Sequence, residues 1–493
     1  MSQLSAIDLI FLLLENQTRP MHMSSCLVFK LPARQKNIFI ARLLEAYRHA
    51  PVSKPFNQKV KWLERGVAHW ETVQTDLNYH VRHVAVPAPG TMAQLDDTLA
   101  LLNASLLDRA YPLWQCFIIE GLEEGRFALF FKLHHAIIDG EGAVRLLHTT
   151  LNESAKSRNL DAIWQPHAEP HRKRQAPVSD SQLRGLLAQL RAAPSGLKDV
   201  TTGLLDLGAQ ALNLKTPQSS LPFQAPNTPF NVTLSSSARC YANCEIPLDM
   251  IKAIASASGC TVNDVAVTCI DHALHRYLAE VGSQVSAPLV AAMPLSTRTQ
   301  AHGTGGNQVT ADLVQMGQPG AAIGERLRQV HASAGRVKNK AMTMSAAMRQ
   351  VHSLLLLSLT ALPELTPGLS AAPSSNVLIS NMAGPREQLY LGGAPLVAMH
   401  GLPILPPTPC LNVTFVSVLG RICLAVASTP EAMSNPARYI ELLLAAVNEL
   451  ERAILPRSSV PARSPRKATT GKNRASKKTV KKSRAAKKPA GRK

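Results

Sequence analysis

The sequence predicts an α/β protein of two packed blocks followed by a basic tail, and three observations predict it. The chain has 493 residues, more than one ordinary core accommodates. Strand-like apolar runs and helix-like periodicities occur together in each half. The last 38 residues, Pro456 to Lys493, hold 15 Lys or Arg and no acid. A segment of that composition buries too little to offset its ordering entropy and is expected to be disordered.

The first block is residues 1–151. Trp114 to Glu120 and Arg126 to Leu133 are two apolar runs joined across Gly121 to Gly125, a hairpin pattern. The chain then turns through Asp139-Gly140 and enters a helix over Ala143 to Leu151. Residues 152–228 form a connection, marked by seven prolines, a basic patch at His171 to Arg174 and weaker periodicity. Leu183, Leu186, Leu187 and Leu190 recur there at helical spacing. The second block is residues 229–455. Val262, Val265, Cys269, Ala273 and Tyr277 predict a helix over Thr261 to Val281, with Thr261 as its cap and Asp264 at the third helical position. A last helix is expected over Ala437 to Ile454, and Ser380 to Pro385 reads as a turn by composition.

Apolar residues make up 45% of the chain and charged residues 17%, which suits a globular protein. Net charge is +20, yet removing the tail leaves 38 basic against 33 acidic residues, so the body is only mildly basic. The eight cysteines are scattered without a paired CxxC pattern, as expected of reduced, buried thiols in a cytoplasmic protein. The apolar stretch Leu9 to Leu14 lacks a basic leader and a cleavage site, so it does not read as a signal peptide. No run reaches the roughly 18–20 apolar residues that span a bilayer; Leu354 to Leu362 is broken by Ser358 and Thr360 and stopped by Pro363. Any membrane contact is expected to be peripheral.

The chemistry concentrates in His134-His135-Ala136-Ile137-Ile138-Asp139-Gly140. Adjacent histidines on a strand point to opposite faces, and no HExxH or spaced His/Cys cluster accompanies them, so no metal is indicated. Alternation places His135 on the face of Phe127, Leu129, Phe131 and Leu133, where desolvation favours a neutral imidazole able to accept a proton. The same letters fit a satisfied core histidine beside an Asp-Gly turn.

The segment resembles the HHxxxDG signature of the CoA-dependent acyltransferase superfamily, and the chain as a whole resembles the bacterial wax ester synthase/diacylglycerol acyltransferases. The resemblance rests on Leu4 to Asp8 with Pro20-Met21-His22, on Leu107-Asp108-Arg109 with Pro112-Leu113-Trp114, and on Glu120 to Leu122 with Gly125 to Phe127. It continues through Thr228 to Ala242, Val262 to Val265, Pro294 to Arg298, Gly306-Asn307 and Ser380-Asn381-Met382-Ala383-Gly384-Pro385, covering about 1–455. Tyr111 departs from the pattern, standing where the family commonly has Arg.

The resemblance implies two chloramphenicol-acetyltransferase-like domains facing a central channel. It implies transfer of a long-chain acyl group from acyl-CoA to the hydroxyl of diacylglycerol, of a long-chain fatty alcohol, or both, by direct attack and with no tightly bound cofactor. His135 is then the general base, His134 a supporting residue, and Asp139 with Gly140 the loop element, Asp139 pairing with an Arg such as Arg298. Asn263 is the oxyanion candidate. Asp264, Pro112, Leu113, Trp114, Ser380 and Asn381 are further channel candidates, although residues 261–264 could equally just start a helix and Pro112 to Trp114 just pack. The expected setting is cytoplasmic, peripheral on the inner membrane face or on lipid inclusions. The tail suits an anionic partner, lipid headgroups or DNA. The rival reading is a non-catalytic lipid-granule- or DNA-binding protein on an acyltransferase fold, against which the intact His134, His135, Asp139 and Gly140 argue.

Overall fold

The computed structural model describes residues 2–4, 6–32, 36–62, 68–138, 140–166, 224–295, 310–343, 372–405 and 409–455. The helical spacing at 183–190, the apolar run at 354–362 and the tail therefore lie outside the described residues.

In chain order the strands are β1 (Ser2–Gln3), β2 (His22–Lys30), β3 (Gln58–Trp62), β4 (Ala68–Thr72), β5 (Val81–Ala85), β6 (Trp114–Leu122), β7 (Arg126–His134), β8 (Cys240–Pro247), β9 (Val290–Leu295), β10 (Thr310–Gln315), β11 (Val377–Ala383), β12 (Tyr390–Leu391), β13 (Ala394–Leu402), β14 (Leu411–Val418) and β15 (Arg421–Ser428). The helices are α1 (Ala6–Leu14), α2 (Lys36–Arg48), α3 (Leu77–His80), α4 (Met92–Ala104), α5 (Gly140–Thr150), α6 (Leu248–Ser258), α7 (Val262–Glu280), α8 (Ile323–Thr343) and α9 (Pro436–Ile454). Two six-stranded sheets carry the architecture, in the orders β12-β13-β2-β7-β6-β5 and β10-β9-β11-β14-β15-β8, with a small sheet β1-β4-β3 beside them.

The expected hairpin is present as β6 and β7, paired antiparallel, with β6 running two residues further into the turn and β7 one residue further at the open end. Its alternation sorts two faces. Leu129, Phe131 and Leu133 of β7 join Cys116 and Ile118 of β6 under α2 and α5, while Ala128 and Phe130 pack with Leu95 and Leu99 of α4 on the other face. Lys132 shares the second face, fully buried. Its ammonium donates to the carbonyls of Leu102 and Ser105 at the end of α4 (3.0 and 2.6 Å), filling acceptors that a helix end leaves open. Burial lowers its pKa to about 8.

The second sheet is covered by α6, α7, α8 and α9. The helix α7 begins as the sequence predicts. Thr261 Oγ1 accepts from the Asp264 amide (3.1 Å) and Asp264 Oδ2 accepts from the Thr261 amide (2.9 Å). Val265, Cys269, Ala273 and Tyr277 form its buried stripe.

Three features were not legible. Ser380 to Ala383 is strand rather than turn: β11 pairs with β9 only through Val377 and Leu378, but Ser380 to Ala383 continue its parallel ladder with Thr414 to Ser417 of β14, and that pairing outweighs the turn-forming composition. The turn begins only at Gly384, whose amide donates to the Ser417 carbonyl (3.0 Å). The first part of the proline-rich connection is also packed. Trp164 is fully buried, stacked on Trp114 with ring centres 4.8 Å apart. Finally, β12 and β13 come from late in the chain yet extend the first sheet, β13 pairing antiparallel with β2. Gly401 of β13 lies against β14; a Cβ there would stand 3.1 Å from Thr414 Cγ2 and 3.2 Å from Met382 Cε.

Candidate active site

The turn between β7 and α5 holds the histidine pair. β7 ends at His134, and register places His22 of β2 opposite it. Both are fully buried. The His134 amide donates to the Leu113 carbonyl and the His135 amide to the Met21 carbonyl, each at 3.0 Å. The Ile137 amide closes the turn onto the His134 carbonyl (2.9 Å), and the Ala136 amide donates to His134 Nδ1 (3.1 Å). The segments around His22 and Pro112-Leu113-Trp114 thus supply the backbone carbonyls that set the histidines. Pro112, Leu113 and Trp114 are themselves buried. Trp114 donates from Nε1 to the Phe56 carbonyl (2.7 Å) and stacks on His80 at 4.2 Å. Their place is in the core.

His135 follows the strand, half-buried, with its ring stacked on Phe11 of α1 at 4.3 Å and 24°. His134 turns the other way, and because Nδ1 accepts from Ala136 its proton is on Nε2. That atom lies 3.5 Å from Glu15 Oε1, too far for a strong hydrogen bond. Burial is the larger effect, reinforced by His135 and Arg109, and it holds the His134 pKa near 3 despite the nearby carboxylate. His134 is therefore neutral and serves as a fixed acceptor within the turn. His22 is likewise kept well below its ordinary pKa, by burial first and Lys132 second; its Nε2 reaches the Asn103 carbonyl at 2.9 Å.

The sequence reading missed Glu15. Its side chain is 2% exposed, accepts from the Met21 amide (3.2 Å) and pairs with Arg109 (3.1 Å), which also donates to the Leu12 carbonyl (2.7 Å). It thereby ties α1, the Met21 segment and the Leu107-Asp108-Arg109 element together beside His134. The available signal was an acid closing an apolar helix, with nothing to announce a partner 94 positions away.

Gly140 opens α5; Asp139 and Arg298 lie outside the described residues. Asn263 and Asn381 meet, Asn381 Nδ2 standing 3.4 Å from Asn263 Oδ1. Ser380 pairs in register with Thr414. Asp264 is buried beneath the start of α7, where it receives the Thr261 amide and His331 Nδ1 (2.8 Å).

Known proteins match the chain over most of its length. Residues 4–266 match the wax ester synthase/diacylglycerol acyltransferase catalytic domain and residues 305–451 the WS/DGAT C-terminal domain. The chain belongs to this family. It is 48% identical over 458 residues to a probable diacylglycerol O-acyltransferase of Mycobacterium tuberculosis, Tgs4, covering 92% of this chain and 97% of that one. A second probable diacylglycerol O-acyltransferase of the same organism, tgs2, is 32% identical over 456 residues, covering 91% and 98%. Among solved structures, the wax ester synthase/diacylglycerol acyltransferase of Marinobacter aquaeolei VT8 superposes with a TM-score of 0.72 at 27% identity, over 92% of this chain and 99% of that one. The first condensation domain of the calcium-dependent antibiotic synthetase shares the fold, with a TM-score of 0.56 at 15% identity, over 92% and 97%. The protein is an O-acyltransferase with the fold expected from HHxxxDG. Among the described residues no single helix is long and apolar enough to cross a membrane.

Proposed function

We propose that the protein transfers a long-chain acyl group from acyl-CoA to the hydroxyl of a diacylglycerol, a long-chain alcohol, or both, with His135 as the general base. The observation that carries this reading is the division of labour in the turn. His134 is buried, neutral and engaged with the backbone, whereas His135 is half-buried at the strand exit against Phe11. In the reaction His135 takes the hydroxyl proton as the oxygen attacks the thioester carbon. The C–S bond then breaks, and the departing thiolate takes the proton, leaving ester and free CoA. Asn263 suits the developing oxyanion: with Oδ1 facing Asn381, its NH2 is the donor it offers. Asp139 is assigned the shaping of the loop that follows the histidines. Asp264 and Ser380 support α7 and β11, and Pro112 to Trp114 support the turn.

His135→Ala is expected to remove nearly all acceptor-dependent release of CoA from palmitoyl-CoA, with hexadecanol or a diacylglycerol, and to leave the fold intact. Retained turnover in a folded variant would overturn the base assignment.

Acceptors of this kind collect at lipid surfaces, so the working place is the inner membrane face or a lipid inclusion, reached peripherally. The 15 basic residues of the tail suit attraction to anionic headgroups, each contributing about 1 kcal/mol close to such a surface. Deleting 456–493 is expected to leave turnover of a soluble acceptor unchanged while weakening sedimentation with vesicles of anionic lipid. If binding instead persists on vesicles and is lost on duplex DNA, the tail serves nucleic acid.

A further inference from the structure

We propose that Cys260, Asp264 and His331 form a binding site for a borderline divalent cation of the zinc type, outside the histidine turn. Each residue offers one ligand atom, a sulfur, a carboxylate oxygen and an imidazole nitrogen, all within 4.8 Å of one another. Positions 260 and 264 meet because the cap at Thr261 folds the Asp264 carboxylate back over the start of α7. His331 arrives from α8, with Nδ1 2.8 Å from Asp264 Oδ2. A tetrahedral zinc site separates such ligand atoms by ~3.4–3.6 Å at its usual bond lengths. The widest gap must therefore close slightly and the Asp264–His331 gap open slightly, both within side-chain freedom.

The donor set selects the metal. Thiolate, imidazole and carboxylate together suit zinc and its neighbours and not magnesium or calcium, which prefer oxygen alone. Two anionic ligands also balance a dication at a helix start, whose own dipole disfavours positive charge. Asp264 is 5% exposed and held by the Thr261 amide, so one ligand is already oriented. His331 is 48% exposed and Cys260 half-buried, leaving an approach from solvent.

On binding, the Cys260 thiol loses its proton to solvent. The imidazole proton moves from Nδ1 to Nε2, and the cation takes the place of the proton shared with Asp264. With a neutral imidazole one proton is released, so affinity rises with pH. The bound ion would clamp the start of α7, and with it the Asn263–Asn381 contact, to α8.

The test uses the full chain in a non-thiol reductant. Titration with Co2+ is expected to give a thiolate-to-cobalt charge-transfer band that saturates at a single equivalent and is displaced by Zn2+. Cys260→Ala, which keeps the Asp264–His331 pair, and His331→Ala should each weaken zinc binding at least about tenfold, the loss that removal even of an outer partner brings. In the unaltered protein, zinc should protect Cys260 from alkylation and leave Cys240, the other half-buried thiol, reactive. The proposal is overturned by cobalt saturation without charge transfer, by zinc affinity unchanged in both variants, or by Cys260 alkylating equally fast with zinc present.

Discussion

Glu15 connects to the histidine turn through the backbone of Met21, so on the proposed role of His135 it is a positioning residue. It is buried, and its two oxygens serve the Met21 amide and Arg109, while the Met21 carbonyl receives the amide of His135. Replacing Glu15 by Ala leaves the Met21 amide without its acceptor, a cost of about 1–3 kcal/mol, and frees the segment that sets the height of His135. Glu15→Ala is therefore expected to lower kcat by roughly 10–100-fold with little change in KM, since a small misplacement of a catalytic group costs about that much. Glu15→Gln, which keeps an acceptor for Met21, should recover most of the loss. A rise in KM alone would place Glu15 in substrate binding instead. The His134-His135 pair was legible as a motif, but strand alternation does not set His135, since β7 stops at His134 and His135 lies in the turn that follows. The role of Glu15 was not legible, since sequence carries no mark of a contact made by folding α1 back onto the Arg109 loop.

At the scale of elements, strong periodicity was readable and context was not. The stripe of α7 and its capping box follow from residues within one turn of each other, so local chemistry decides them. The strand at 380–383 follows from neighbours far along the chain. Gly384 marks the point where that strand ends. A Cβ there would stand 2.8 Å from the Ser417 carbonyl oxygen and 3.0 Å from methyls of Val416 and Val418. The first of these is backbone and cannot rotate away. Gly384→Ala should cost about 1–3 kcal/mol, as overpacking does, read as a lower urea midpoint with an unchanged m-value. At Gly401 the nearest atoms are side-chain methyls, one on flexible Met382, and Gly401→Ala should cost less. Equal losses at both positions would mean that the Ser417 backbone yields as readily as a side chain.

For the whole molecule, a split into sequential blocks is the natural reading of the periodicities, but β12 and β13 return to the first sheet and lie against the second. Nothing local distinguishes a strand that joins one sheet from a strand that joins the other. Around the first sheet and its neighbours the fold buries His22, His80, His134 and His400. Burial is the largest effect on each and lowers every pKa, to about 4 for His80, about 3 for His134 and about 4 for His400. Between the unfolded value near 6.5 and these lowered values, the unfolded chain binds protons that the folded chain does not. Stability is therefore present in full above about pH 6.5 and falls as the pH drops through that value, by at most about 1.4 kcal/mol per pH unit for each histidine. Near pH 5.5 the four together remove up to about 5 kcal/mol, comparable with the whole margin of many domains. Urea midpoints measured from pH 8 to pH 5 should fall steeply below 6.5, with up to about four protons taken up on unfolding. His400 offers the clean control, since neither ring nitrogen meets a hydrogen-bond partner among the described residues. His400→Leu removes one buried titrating group without orphaning a partner, so it should flatten the acid limb by about one proton and hold stability at pH 8. An acid limb as steep in His400→Leu as in the parent would show that this imidazole is already protonated, or solvated, inside the fold.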